Sequence, residues 1–347
     1  MRNLSIAILS LMLLGGCTQS ELSARPDDAV VRGINFVGMS VSNLEQSTAL
    51  YQNAFDLKLA READIQQSAV IDALSGREDT RVSTRLMKSA NAQVLFMEFD
   101  DSPIQALNTE PVPVNGPGIA HVCYQAAQKH NAYERFLEGG ATHIGDREIV
   151  QLLKRNPVYY AYAHDHDKTI VEIEHVDIAA LDLPGPPKNE YRIRQVALST
   201  PDIDRAVDFY SALLQGEPRR VGGFIKLSGE NFDKISGLPD SKIEMAWFQV
   251  RNLELELIQY HSHPTETPAA PRPLEALGYN MVVFDVANLN AARERLLAAG
   301  GELVLESKPM DGGEILFGRD PDGNLLGFQK IADDAPFSSQ NFVDNGT

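Results

Sequence analysis

The chain repeats itself. Tyr51 answers to Tyr210, Ser75-Gly76 to Ser236-Gly237 and Gly140 to Gly300, each pair spaced by about 160 residues, the signature of one architecture built twice. In the second half, Ile203, Ala206, Val207, Tyr210, Leu213 and Leu214 fall on one helical face, with Asp202 placed to cap it. Leu289, Ala292, Leu296 and Leu297 do likewise ahead of a Gly300-Gly301 stop. Short apolar strands frame such helices. Val37–Val41, Ile119–Tyr124, Val196–Ser199 and Met281–Val286 open four segments, which Val94–Phe99, Ile170–Ile173, Leu253–Tyr260 and Leu325–Phe328 close. Turn chemistry precedes two of the closing strands, in Asp320-Pro-Asp-Gly323 and its degenerate counterpart Asp165-His-Asp-Lys168. The pattern is α+β, with four βαβββ modules.

Two modules occupy residues 31–178 and two occupy 191–331, separated by a proline-rich linker, 179–190, around Asp182-Leu-Pro-Gly-Pro-Pro-Lys-Asn189. The polar composition of 332–347 predicts a frayed tail. At 347 residues and 43% apolar, the chain is long enough for each half to bury a core. The formal net charge is −17 and no run of Lys or Arg stands out, which excludes a phosphate-neutralising surface and with it nucleic acid as a partner.

Arg2 precedes an apolar run from Leu4 to Leu14, too short to span a bilayer as a helix but right for the core of a secretory signal. The following Leu14-Gly15-Gly16-Cys17 resembles the lipobox of bacterial lipoproteins. The resemblance implies a signal peptide over 1–16, lipid on Cys17, a polar tether over 17–30 and attachment to a membrane of the cell envelope. Thr18 stands where an inner-membrane retention signal would carry aspartate, so in a cell with two membranes the expectation is the outer one, facing the periplasm. Cys123 is then the only thiol left; its apolar strand context predicts a buried, inert side chain.

Taken together, a first strand such as Gln195-Val-Ala-Leu-Ser-Thr-Pro-Asp-Ile203, a closing strand such as Leu255-Glu-Leu-Ile-Gln-Tyr260 and the Asp-Pro-Asp-Gly turn resemble the vicinal oxygen chelate superfamily over residues 31 to 331. That superfamily includes glyoxalase I, methylmalonyl-CoA epimerase, extradiol dioxygenases and bleomycin-resistance proteins. The resemblance implies that two modules curl into a cup and that metal ligands come from one position in each first strand and one in each last strand. Those positions hold Phe36 and Leu95 in module one, His121 and Glu172 in module two, Gln195 and Glu256 in module three, and Met281 and Gly327 in module four. Pairing the modules in chain order would leave two half-sites. Pairing two with three and one with four, as single-chain glyoxalases do, gives one cup a full ligand set and leaves the other apolar.

Each of the four has a plainer reading alone. A histidine on an apolar strand is more often hydrogen-bonded core than ligand, and Glu172 with Glu174, or Glu256 with Glu254, could be a solvated strand face. Joint occupancy of matched positions favours a metal site. His164 with His166, and His261 with His263, are also spaced to share a strand face and ligate zinc, but the first pair falls in a predicted hairpin turn and the second just past a strand end, so surface loops are expected for both.

One nitrogen and three oxygen ligands resemble glyoxalase I and related isomerases or epimerases, while a single histidine speaks against extradiol dioxygenases. The expectation is one divalent ion (zinc, nickel, cobalt or manganese) in a lyase or isomerase that moves a proton next to a carbonyl, with Glu172 or Glu256 as base, acting on a small molecule. The alternative is a non-catalytic binding protein of the bleomycin-resistance kind, holding its ligand in an apolar cup.

Overall fold

The computed structural model describes residues 26, 28–100, 102 and 103, 112–152, 154, 156–181 and 187–346. The proposed signal peptide, Cys17 and residues 182–186 of the proline-rich linker lie outside the described residues.

Module one comprises β1 (Val31–Ser40), α1 (Leu44–Phe55), β2 (Lys58–Ile65), α2 (Ala69–Ser75), β3 (Val82–Lys88) and β4 (Gln93–Phe99). Module two comprises β5 (Gly118–Ala127), α3 (Ala132–Glu138), β6 (Thr142–Ile144), β7 (Val150–Gln151), β8 (Val158–His164) and β9 (Ile170–Val176). Module three comprises β10 (Tyr191–Ser199), α4 (Ile203–Leu214), β11 (Arg219–Val221), β12 (Leu227–Ser228), α5 (Glu230–Ser236), β13 (Lys242–Val250) and β14 (Leu253–Tyr260). Module four comprises β15 (Gly278–Val286), α6 (Leu289–Ala298), β16 (Glu302–Met310), β17 (Gly313–Arg319) and β18 (Leu325–Lys330).

The repeated residues are those the modules need locally. Asn43, Asp202 and Asn288 cap α1, α4 and α6 by accepting from backbone N–H groups of the first turn. The Ser-Gly pairs end two short helices, α2 and α5, that the periodicity did not reveal; Gly76 and Gly237 adopt φ of +68° and +70°, conformations that a side chain would strain. Of the predicted face of α6, Leu289, Ala292 and Leu296 are buried, but Leu297 is exposed.

The strands form two sheets, and neither sheet belongs to one sequence half. One has the order β16-β17-β18-β15-β1-β4-β3-β2, joining modules four and one; the other runs β11-β13-β14-β10-β5-β9-β8-β6, joining three and two. At each centre the two first strands pair antiparallel, β1 with β15 and β10 with β5, and each first strand runs parallel to its own closing strand. The exchanged pairing, two with three and one with four, is therefore the architecture.

One large core joins a face of each sheet to α1, α3, α4 and α6, with Val37, Phe96, Val122, Tyr124 and Leu255 from strands packed against Tyr51, Phe136 and Tyr210 from helices. The two equivalent tyrosines also tie the cups together. Tyr51 donates to Asp165 (2.9 Å) in the β8–β9 turn and Tyr210 to Asp320 (2.8 Å) in the β17–β18 turn, so each bond runs from a helix of one cup to a hairpin of the other.

The C-terminal segment is a correction to the expected frayed tail. Phe337 and Phe342 are buried, Ser339 donates to Asp285 (2.8 Å), and Arg251 donates to the Phe342 carbonyl (2.7 Å). Phe337 enters the outer cup and packs on Phe36 with ring centroids 5.5 Å apart. Polar composition concealed these anchors because two well-placed aromatic rings suffice to dock a short segment.

Candidate metal centre

At the centre of the inner cup, strand register sets the site. Ala197 on β10 stands opposite His121 on β5 and Glu256 on β14, while Cys123 on β5 stands opposite Gln195 on β10 and Glu172 on β9. Residues opposite one another across a sheet, and residues two apart along a strand, share a face, so the four polar side chains emerge together. All four are buried. His121 Nε2 lies 3.2 Å from Glu172 and 3.5 Å from Glu256, and one ligand atom from each of the three falls within 4.8 Å of the others.

The donor set suits a divalent cation. Two carboxylates buried side by side cost several kcal/mol each unless opposite charge compensates them. His121 Nε2 points into the gap between them and, although buried, makes no hydrogen bond of sound geometry. An orphaned imidazole nitrogen between two carboxylate oxygens is the arrangement that a metal ion with nitrogen and oxygen ligands would satisfy.

Without an ion, a proton takes that place. Burial pulls the His121 imidazole down, but Glu172 and Glu256 together override it and hold the group at about 9. Burial pushes Glu172 up, yet His121 and Arg194 outweigh it and leave this carboxyl below its usual range. Glu256 moves the other way, raised by burial that His121 does not fully offset. The two carboxylates share one cation and titrate as a set.

Gln195 joins the site with a constrained amide. Trp247 Nε1 donates to its Oε1 (3.1 Å), and because an indole N–H can only donate, the amide oxygen must face Trp247. Its Nε2 therefore faces inward, donating to Glu172 (3.0 Å) and Glu256 (2.5 Å). Ligation through the amide oxygen requires the group to turn over and release Trp247.

The neighbouring acids find another partner. Glu174 and Glu254, two residues along from Glu172 and Glu256, lie 3.3 Å and 3.8 Å from the Arg194 guanidinium. Tyr162 packs on His121 with ring centroids 5.0 Å apart. Above the centre opens a cavity of about 120 Å³ whose walls include Tyr162, Arg219, Met245, Trp247 and Ile258. Sequence reasoning missed Arg194, Arg219, Tyr162 and Trp247. The one available signal was Trp247, the chain's single tryptophan, directly across the ladder from Glu256.

The outer cup has the same register with different residues. Gly38 stands opposite Met281 and Leu95, and Val283 stands opposite Phe36 and Gly327. Met281, Leu95, Phe36 and Gly327 thus occupy the places of His121, Glu256, Gln195 and Glu172. Phe337 and its neighbours fill this cup to a residual cavity of about 20 Å³. The apolar cup is packing here, which leaves little room for the small-molecule pocket of the alternative reading.

The four other candidate histidines do not reach the centre. His164 is the last residue of β8, not a turn residue, and is half-buried. His166 lies in the following turn, as expected, but is half-buried there, 3.2 Å from Ser47 Oγ. His261 and His263 follow β14, near Glu244 and Ser262 respectively. Cys123 is buried, and burial pushes its thiol far from ionisation, in keeping with an inert role.

No curated protein matches the chain in sequence. Among solved structures, it is similar to glyoxalase I from Zea mays, at 19% identity over 86% of this chain and 92% of that one, with a TM-score of 0.59. It is also similar to a candidate dioxygenase from Bacillus subtilis, at 10% identity over 86% and 85%, with a TM-score of 0.54. At such identities the likeness is one of fold. A family model matches twice, over residues 33–170 and 192–328, and these segments cover most of the chain and the greater part of each module. On the double match, the exchanged sheets and the repeated register, the chain belongs to the Glyoxalase/Bleomycin resistance protein/Dioxygenase superfamily.

Proposed function

We propose that the inner cup is a divalent-metal centre of a glyoxalase- or epimerase-like lyase or isomerase, acting on a small oxygenated molecule by proton transfer next to a carbonyl. The observation that carries this reading is the convergence of His121, Glu172 and Glu256 around an orphaned, buried imidazole nitrogen. These three would hold the ion, with Gln195 as the fourth ligand once its amide turns. When bound, the ion supplies Lewis acidity to a substrate's paired oxygens and so acidifies the adjacent C–H.

The remaining work falls to the chain. Glu172 and Glu256 face each other across the centre, and either can accept a proton from the substrate carbon and return it. Tyr162 and Trp247 wall the cavity and exclude water, which strengthens every charge interaction inside. The N-terminal Leu14-Gly15-Gly16-Cys17 supports a place in the bacterial cell envelope, anchored through lipid on Cys17 and, where two membranes exist, at the outer one facing the periplasm. Glutathione adducts are chiefly cytosolic, so a substrate other than that of glyoxalase I fits such a location.

The chain expressed from Thr18 onward should carry one divalent ion per molecule by elemental analysis, and His121→Ala should lose it. A wild-type protein that takes up no stoichiometric zinc, nickel, cobalt or manganese ends the metal-enzyme reading. Glu172→Gln and Glu256→Gln should separate the roles of the two carboxylates: the variant that keeps metal but loses isotope exchange at the substrate carbon identifies the base.

A further inference from the structure

Arg219 sits on β11, at the edge of the inner sheet, in register with Trp247 on β13, which is in register with Glu256 on β14. With strands about 4.8 Å apart, the Arg219 backbone lies about 10 Å across the cup from that of Glu256. The side chain lines the cavity, and its guanidinium lies over the indole, with Cζ 4.3 Å from the ring centroid.

What sets Arg219 apart is a guanidinium that lines the cavity without an acceptor. The cations nearest it in the cup have partners: Arg194 pairs with Glu174 and Glu254, Arg220 with Asp204 and Glu244, and Lys226 with Glu244, while Arg192 donates to Gln125 and to the Asn345 carbonyl. Among the described residues, no carboxylate lies within ion-pair distance of Arg219 and no side chain or carbonyl accepts from it. Burial, then repulsion from Arg194, pulls its proton affinity below the usual range, and the attraction of Glu254 and Glu256 offsets this only in part. Seated over Trp247 and without an acceptor, the guanidinium keeps N–H donors free for two oxygens in one plane.

We infer that Arg219 is an anion-recognition subsite, and that the substrate is an acid whose far end carries a carboxylate held edge-on by this guanidinium while its oxygen pair meets the centre at His121, Glu172 and Glu256. This rests on the metal-centre reading above. Met245, Ile243 and Ile258 line the same cavity, so the stretch between the two ends is apolar. A carboxylate suits the charge better than a phosphate dianion, because Arg194 is already neutralised and a single positive charge remains.

A pair of hydroxamates tests this, each presenting a chelating oxygen pair on an eight-carbon chain: octanohydroxamic acid, which ends in a methyl group, and suberic acid monohydroxamate, which ends in a carboxylate. Titrated into the metal-loaded chain in a calorimeter, the carboxylate probe should bind at least tenfold more tightly. Arg219→Gln should abolish that preference while metal content and octanohydroxamate affinity stay within twofold, and Arg219→Lys should recover part of it. Equal affinity of wild type for both probes, or an unchanged preference in Arg219→Gln, overturns the subsite and leaves the metal centre standing. Failure of the wild type to load metal overturns the underlying reading and the subsite with it.

Discussion

His121 is the residue on which the centre turns, because the same nitrogen can hold a proton or an ion. In the metal-free protein its imidazole is raised from 6.5 to about 9, so the stability it contributes is fully present below about 6.5 and is lost as the pH rises through about 9. Thermal melts of the metal-free chain should therefore show a fall in Tm between pH 7 and 10 that His121→Ala removes. For metal the sign reverses: below about 9 an incoming ion must displace the proton, so affinity should rise by about tenfold per pH unit between pH 6 and 8. A flat profile in a metal-competition titration would exclude His121 as a ligand. Trp247 makes a second residue-scale prediction. Trp247→Phe removes the N–H that holds Gln195 with its nitrogen inward, so the metal-free protein should lose about 1–3 kcal/mol in urea melts while metal affinity is kept or gains. A tenfold loss of affinity would show that the indole bond and ligation act together. All four converging residues could be read from the sequence, since each occupies a matched position in its module. The direction of the Gln195 amide could not, because it depends on a donor that approaches from a neighbouring strand.

Among the elements, the C-terminal segment departs most from what its composition suggests. Its polar residues are no obstacle to docking, since Ser339, Gln340 and Asn341 hydrogen-bond to Asp285 and to backbone carbonyls, and Phe337 supplies the apolar anchor. Phe337→Ala should cost roughly 3–5 kcal/mol, read from chemical unfolding, and should open the outer cup to an apolar dye. An unchanged midpoint would mean that this ring is not integral to the outer core. Strands and long helices were legible because alternation and helical spacing repeat over several residues. The short helices α2 and α5 escaped because seven residues carry too little pattern, although their Ser-Gly ends were visible as repeats. His164 was misplaced for a related reason: it directly precedes the Asp165-His-Asp-Lys168 motif, and the strand runs up to the turn itself.

For the whole molecule, the exchange of modules bears on the order in which the chain can fold. The central pairing of the inner cup joins segments close in sequence, as in the Arg192–Gln125 bond 67 positions apart, whereas that of the outer cup joins the two ends, as in the Arg32–Asp285 bond 253 positions apart. Closing the longer loop costs more entropy, and non-local pairing slows folding. The inner cup, with its candidate centre, should form first, and β1 must wait for β15, which is made only after modules two and three. Pulse-labelling hydrogen exchange during refolding should protect β5, β9, β10 and β14 ahead of β1 and β15; simultaneous protection would argue against this sequence of events. A chain that folds in this order leaves β1, an apolar strand, without its central partner while modules two and three are made, and so exposes module one to aggregation or capture by chaperones until module four arrives.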